Sequence, residues 1–189
     1  MSVLPIVIWD DPVLRKRAEP VSANSEELQA LIDDMFETMY NASGVGLAAP
    51  QIGKSIRLFV MDAGPVLEEE ETDRGPTVLM NPVIVDHSEE EAKMEEGCLS
   101  IPDIRDDVSR PVSIRIRFLD RTFQEQEWDL DSWPARIVQH ELDHLDGVLF
   151  TDHLSAFRRR VHRSRLSKLE RGVMDVDYPV SLKGRTEIG

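Results

Sequence analysis

The sequence contains a single cysteine among its 189 residues, which excludes an internal disulfide framework. No run approaches the roughly 18 apolar residues of a membrane-spanning helix, and residues 1–10 lack the basic start and apolar core of a signal peptide. Lysine and arginine number 22 against 36 acidic residues, and the net charge of −14 argues against nonspecific binding of nucleic acid by the whole protein. We therefore expect a cytoplasmic protein, most simply of one domain.

The strongest chemical pattern lies in residues 134–147, PARIVQHELDHLDG. On a helix, His140 and His144 lie one turn apart on the same face, so both imidazoles can reach one metal ion. Glu141 then stands beside that metal, as in the H-E-x-x-H motif, where the glutamate moves protons for an activated water. The alternative is a polar helix with two surface histidines. We favour the metal site, because apolar residues around the motif indicate a buried helix.

The motif does not supply a complete site, since catalytic metal sites usually have three protein ligands. Phe150 occupies the position at which one extended form of the motif places a third histidine. His153 lies three residues too late. The third ligand should therefore come from elsewhere in the chain, whose only cysteine is Cys98.

The remaining periodic segments predict an α+β fold. Asn24 and Glu27 can form a capping box for a first amphipathic helix that ends near Asn41. Ser132 is the predicted N-cap of the metal-binding helix, which Gly147 would end. The predicted strands are residues 56–62, 78–86, 112–119 and 126–130. This order favours a mainly antiparallel sheet packed around a central metal-binding helix, with an N-terminal and a C-terminal helix.

Residues 44–53, GVGLAAPQIG, form a run of small residues that neither a helix nor a strand requires. A dinucleotide-binding loop needs a strand before it and a helix after it, which is the reverse of the order predicted here. Small residues let the backbone approach a ligand, and Gln51 would add a neutral amide donor. A tight structural turn is the alternative, but it leaves Gln51 without a role.

Three segments, GVGLAAPQ, EGCLS and HELDH, stand in an order and at separations similar to those of the peptide deformylase family. The chain resembles that family over residues 4–169. The resemblance implies a metallohydrolase that removes formate from the N-terminal formyl-methionine of newly synthesised polypeptides. It also implies a catalytic domain of residues 1–172, which leaves residues 173–189 as a tail of unknown role.

The same resemblance implies three groups of site residues. The metal ligands would be Cys98, His140 and His144. The catalytic groups would be Glu141 as general base and then acid, with Gln51 and the Leu99 backbone N–H as donors to the oxyanion. The substrate-binding residues would be Val45, Gly46, Arg105, Trp133 and Ile137.

One thiolate and two imidazoles could hold zinc, iron, nickel or cobalt. The resemblance points to one ferrous ion per chain. The chain departs from the commoner family pattern in its long acidic loop at residues 62–76, in Ser132, which stands where glycine is frequent, and in Pro134 at the helix start. None of these departures removes a catalytic group.

Residues 154–172 carry seven basic side chains against Glu170 alone. The simplest interpretation is a terminal helix with a solvated basic face. In the family that the chain resembles, this helix can dock near the ribosome exit tunnel, so a ribosome contact is the second interpretation.

Two other functions are compatible with the motif. A metallopeptidase would cleave internal peptide bonds, but Phe150 in place of a third histidine argues against it. A binding module with a structural metal would more often use four protein ligands, and only three are found. We therefore expect N-formylmethionyl peptides as substrates, and we expect neither a membrane nor a specific nucleic acid as a partner.

Overall fold

The computed structural model describes residues 2–67, 73–182 and 185–188. Within these ranges the α-helices are α1 (Glu26–Asn41), α2 (Ser132–Leu145) and α3 (Ala156–Glu170). The strands are β1 (Ile6–Val7), β2 (Gly46–Ala48), β3 (Leu58–Met61), β4 (Thr77–His87), β5 (Glu91–Cys98), β6 (Ile101–Pro111), β7 (Ser113–Leu119), β8 (Glu125–Asp131), β9 (Val180–Leu182) and β10 (Arg185–Ile188). No helix in the described ranges is both long enough and apolar enough to cross a membrane.

The predicted α+β architecture is confirmed. Five strands form an antiparallel sheet in the order β2-β3-β4-β7-β8, and β5 pairs with β6 in a separate antiparallel hairpin. A third, small sheet has the order β1-β9-β10, in which β1 and β9 run parallel.

The central helix α2 covers one face of the large sheet, and α1 covers the other. Ala135 and Val138 of α2 pack in one apolar cluster with Phe59 of β3. The neighbouring β3 residue Leu58 packs in a second cluster with Met35 of α1. Both faces of β3 are therefore buried, which explains its uninterrupted apolar sequence.

The structure corrects both predicted helix caps. The N-cap of α1 is Ser25, whose side chain accepts a hydrogen bond from the Leu28 N–H, so the capping box predicted at Asn24 is wrong by one residue. The N-cap of α2 is Asp131. Ser132 is instead the first helical residue, with a φ of +48° in the left-handed region that favours glycine.

The long β5–β6 hairpin was not predicted from the sequence. The predicted acidic loop at residues 62–76 lies partly outside the described residues, which omit 68–72. The domain boundary at residue 172 stays a prediction. Beyond that point β9 pairs with β1, with Val180 opposite Ile6, so part of the predicted tail packs against the start of the chain.

Candidate active site

The three predicted metal ligands lie together between β5 and α2. Cys98 is the last residue of β5, and His140 and His144 lie on successive turns of α2. One donor atom from each lies within 4.8 Å of the other two, and Cys98 Sγ is 3.3 Å from His144 Nε2. A thiolate and two imidazoles that converge in this way form a donor set for a divalent transition metal. The residues present therefore fit the metal that the sequence predicts.

Glu96 fixes the orientation of one of these ligands. Its Oε2 lies 2.9 Å from His140 Nδ1, which leaves the other ring nitrogen of His140 for a metal. Burial alone would raise the pKa of Glu96, but hydrogen bonds from His140 and Arg110 outweigh this effect and lower the pKa. Glu96 is therefore a buried carboxylate that holds the imidazole in one orientation.

A buried network surrounds Glu96. Arg110 donates to both of its carboxylate oxygens, at 2.7 and 3.0 Å. Arg136 of α2 donates to Glu96 Oε1 at 2.9 Å and to the Val108 carbonyl at 2.9 Å. Arg110 also donates to Asp143 Oδ2 at 2.8 Å, so β5, β6 and α2 are joined by one set of charge-assisted hydrogen bonds.

Sequence analysis missed these supporting residues. Glu96 was part of the EGCLS segment but received no role. Arg136 carried a usable signal, because it lies one turn before His140 on the helix face that must be buried. A buried arginine needs hydrogen-bond acceptors, and Glu96, the acidic residue of the EGCLS segment, was an available partner.

Glu141 is buried beside the ligands, with 4% of its surface exposed. Burial raises its pKa to about 7. Its Oε2 has no hydrogen-bond partner among the described residues. A Cβ added at Gly46 would overlap Glu141 Oε1 and lie 2.9 Å from its Cδ, so with any larger residue this carboxylate would have to move. A carboxylate with a pKa near neutrality suits both the uptake and the return of a proton.

The side-chain amide of Gln51 has a defined orientation. Its Oε1 accepts a hydrogen bond of 2.8 Å from the Ala48 N–H, so its Nε2 is the group that faces the site. Nε2 lies 3.5 Å from Cys98 Sγ and 3.4 Å from Ser100 Oγ. Leu99 stands between these two residues in the turn that joins β5 to β6. Gln51 thus presents a neutral N–H donor next to the ligands.

These groups line an open cavity of about 560 Å³. Predicted site residues that line it are Val45, Gly46, Gln51, Cys98, Leu99, Arg105, Trp133, Ile137, His140 and Glu141. His144 is buried next to Cys98. Arg105 is largely exposed, with its Nη1 3.8 Å from Glu95 Oε1. Asp175, Val176, Asp177 and Tyr178 also line the cavity, which the sequence did not predict.

Comparison with known proteins identifies relatives over almost the whole chain. A family described as "Polypeptide deformylase" matches residues 3–160. A peptide deformylase of Salinibacter ruber is 50% identical over 186 residues, which cover 96% of this chain and 95% of that protein. A crystal structure of a peptide deformylase from Legionella pneumophila superposes with a TM-score of 0.81 at 43% identity, covering 90% of this chain and 96% of that one. For a deformylase of Ehrlichia chaffeensis in complex with actinonin, the TM-score is 0.83 at 39% identity, with 93% and 100% covered.

Proposed function

The chain belongs to the peptide deformylase family, whose members remove the formyl group from the N-terminus of nascent polypeptides, and we propose that the cavity beside Cys98, His140 and His144 is its active site. The observation that carries the proposal is the convergence of these three donors next to the buried carboxylate of Glu141. The same convergence supports the wider chemical class, a metal-dependent hydrolase.

In the proposed site, Cys98, His140 and His144 hold one divalent metal. When bound, such a metal can lower the pKa of water from 15.7 to about 7 and so supply a nucleophile at neutral pH. Glu96 keeps His140 in the ligating orientation through its contact with Nδ1. We propose ferrous iron, following the family resemblance, while the donor set also fits zinc, nickel or cobalt.

Glu141 and Gln51 carry the remaining chemistry. Glu141 takes a proton from the attacking water and returns it to the amine that leaves when the formamide C–N bond breaks, which its pKa of about 7 favours. Negative charge develops on the former carbonyl oxygen. Gln51 Nε2 and the Leu99 N–H donate to this oxyanion, and losing one such donor typically lowers the rate about a hundredfold to a thousandfold.

The cavity supports the predicted substrate contacts. We propose that Gly46 and Arg105 contact the peptide backbone, and that Val45, Trp133 and Ile137 line the pocket for the methionine side chain. All five residues line the cavity. Formylated chains arise where protein synthesis occurs, so we also propose that the protein works in the cytoplasm.

The first experiment is formate release from a formyl-methionyl peptide by protein purified without oxygen and loaded with ferrous iron. We expect release by the wild type, and Glu141→Ala should retain metal but lose turnover by about a hundredfold or more. Glu89→Ala, at an exposed glutamate, is the matched control. A metal-loaded, folded wild type that releases no formate would contradict the proposal.

A second experiment tests the ligands through metal content. Cys98→Ser and His144→Ala should lose the metal, whereas the exposed His87→Ala should retain it. Normal turnover in either ligand variant would contradict the proposed coordination.

Mass spectrometry of an unformylated peptide after incubation with the protein tests the metallopeptidase alternative, which requires cleavage of internal bonds. The binding-module alternative requires that Glu141→Ala leave function unchanged.

A ribosome contact through the basic helix α3 remains a proposal. Arg158 is bound to Asp106, so its reversal would disturb the fold as well as the surface charge. Arg160 and Arg163 line an open groove with Trp9 and offer a cleaner test. Reversal of both to glutamate should reduce co-sedimentation with ribosomes, and reversal of the exposed Lys54 and Lys93, which lie outside α3, is the charge-matched control. Equal co-sedimentation of both double variants would contradict the contact.

A further inference from the structure

The segment that follows α3 forms one wall of the proposed active site. Asp175, Val176, Asp177 and Tyr178 line the same cavity as Gln51, Cys98 and Glu141. The ring of Tyr178 packs against two apolar clusters, one under α1 and one around β1 and β6. The position of Tyr178 is therefore fixed by the body of the protein and by the pairing of β9 with β1.

Tyr178 contacts the turn of Leu99 and Ser100, which directly follows the proposed ligand Cys98. Its hydroxyl donates a hydrogen bond of 2.8 Å to the Leu99 carbonyl. The next carbonyl, of Ser100, accepts a hydrogen bond of 2.9 Å from the Trp9 N–H. Two consecutive carbonyls of the turn are thus held from outside the hairpin, by residues next to β9 and β1.

The hydrogen bond to the carbonyl constrains the N–H of the same residue. The Leu99 carbonyl and N–H belong to the two peptide groups that flank one Cα, so their relative direction depends only on the φ and ψ of Leu99. Cys98, the preceding residue, is restrained as a proposed ligand. With the Leu99 carbonyl held by Tyr178, both ends of this short segment are fixed, and so is the direction of the N–H between them.

Resting on the oxyanion role proposed above for Leu99, we propose that Tyr178 is a positioning residue for this reaction. Its hydroxyl holds the Leu99 carbonyl so that the Leu99 N–H points at the oxyanion that forms on the formyl group. Preorganised donors of this kind act mainly in the transition state, because they require no reorientation when charge develops. Loss of the hydroxyl should therefore affect turnover more than substrate binding.

Burial also keeps this hydroxyl in its donating form. It raises the pKa of Tyr178 above that of a free tyrosine, so the hydroxyl stays protonated throughout the neutral and mildly alkaline range. The hydroxyl can therefore donate to the Leu99 carbonyl throughout that range.

The test compares the two tyrosines of the chain. Tyr178→Phe keeps the ring and its packing but removes the donor to Leu99. Tyr40→Phe is the matched control, because its hydroxyl donates a hydrogen bond of 2.7 Å to Asp62, away from the turn. We expect Tyr178→Phe to lower kcat about tenfold to a hundredfold with KM changed less than about twofold. Tyr40→Phe should leave both constants within about twofold of the wild type.

A second readout does not depend on activity. In zinc-loaded protein labelled with ¹⁵N-leucine, the amide resonance of Leu99 should shift in Tyr178→Phe and stay in place in Tyr40→Phe. Metal content and melting temperature of both variants are measured in the same preparations. Tyr178→Phe with unchanged kcat, or with a loss of kcat that follows a loss of metal or of folded protein, would overturn the positioning role.

The outcomes separate this inference from the proposal on which it rests. Active wild type with an equally active Tyr178→Phe contradicts the inference alone. Wild type that is folded and metal-loaded but releases no formate contradicts the proposed function, and the inference falls with it.

Discussion

Helices α2 and α3 both contact the β5–β6 hairpin through the same combination of side chains, an arginine, a histidine and a carboxylate. On each helix, one arginine and one histidine contact one carboxylate of the hairpin. For α2 these are Arg136 and His140 with Glu96 of β5. For α3 they are Arg158 and His162 with Asp106 of β6, at 2.8 and 2.6 Å.

The two clusters differ in their access to water. The two carboxylates are buried alike, with the side chain of Glu96 4% and that of Asp106 5% exposed, but the side chain of Arg136 is 4% exposed and that of Arg158 is 47% exposed. Neutralising Glu96 leaves buried guanidinium groups without a counter-charge, whereas water can replace much of the pairing of the exposed Arg158. We therefore expect the same chemistry to contribute more to stability under α2 than under α3.

The largest expected effect comes from neutralising the two carboxylates in turn. Glu96→Gln leaves two buried guanidinium groups facing a neutral amide, so we expect a loss of about 3 kcal/mol in the free energy of unfolding. Asp106→Asn should lose only about 1 kcal/mol. Urea unfolding of both variants measures the difference, and equal losses would contradict the role assigned to burial.

A smaller but specific effect concerns the space around α2. In Gly46→Ala the new Cβ overlaps Glu141 Oε1 and displaces the carboxylate, so we expect kcat/KM to fall about a hundredfold in a folded protein. Gly53→Ala is the matched control: its φ of +76° strains the variant, but no atom lies within 4 Å of the new Cβ. It should lose about 1 kcal/mol of stability with normal kinetics. Equal kcat/KM in both variants would show that the position of Glu141 does not depend on the absence of a side chain at residue 46.

Acid should weaken the α3 cluster in a defined pH range. Burial alone would raise the pKa of Asp106, but hydrogen bonds from Arg158, His162 and the Asp107 N–H lower it below the ordinary 3.8. Because the folded-state pKa is lowered, this stabilisation is complete above pH 3.8 and is lost as the pH falls through the lower folded value. The stability difference between wild type and Asp106→Asn should therefore be about 1 kcal/mol near pH 6 and shrink in strong acid. A difference that stays constant with pH would contradict this account.

The smallest expected effect concerns the N-terminal ends of the two helices. Ser132 begins α2 with a φ of +48°, so Ser132→Gly should relieve strain and raise stability by up to about 1 kcal/mol. Ser155 is the N-cap of α3 and accepts a hydrogen bond from the Arg158 N–H, so Ser155→Gly should lose a few tenths of a kcal/mol. Thermal unfolding of the two variants should shift in opposite directions, and shifts of the same sign would refute the distinction.

The α2 side of the molecule was largely predictable from the sequence. The spacing of His140 and His144 fixes a helical face, and the apolar residues of β3, β4 and β7 indicate strands whatever their partners. Glycine is frequent in the family at the position of Ser132. The left-handed backbone there explains this, because glycine adopts a positive φ without strain. The N-cap assignments failed because serine, asparagine and aspartate next to one another compete for the same role.

The β5–β6 hairpin escaped prediction because its inward positions are partly charged. Along β6 the alternate residues Ile104, Asp106, Val108 and Arg110 are buried. Two of these four are charged and form ion pairs with residues of α2 and α3, so the period-two apolar pattern is broken. The position of Tyr178 was not predicted for a different reason. The neighbouring strand β9 has three residues and its partner β1 has two, which is too short for a recognisable strand pattern.

The turn at Leu99 and Ser100 is tied to residues from both ends of the described chain, and this sets an order of events during synthesis. A growing copy that has reached Gly172 already contains Cys98, His140 and His144, but its Leu99 carbonyl has no Tyr178 to bind. Pairing of β9 with β1 joins residues that are far apart in the sequence, with Ile6 opposite Val180, and such contacts form late because of the entropy of closing a long loop. The turn beside the proposed ligands is thus held by Tyr178 only after the chain has been synthesised well beyond Cys98, His140 and His144.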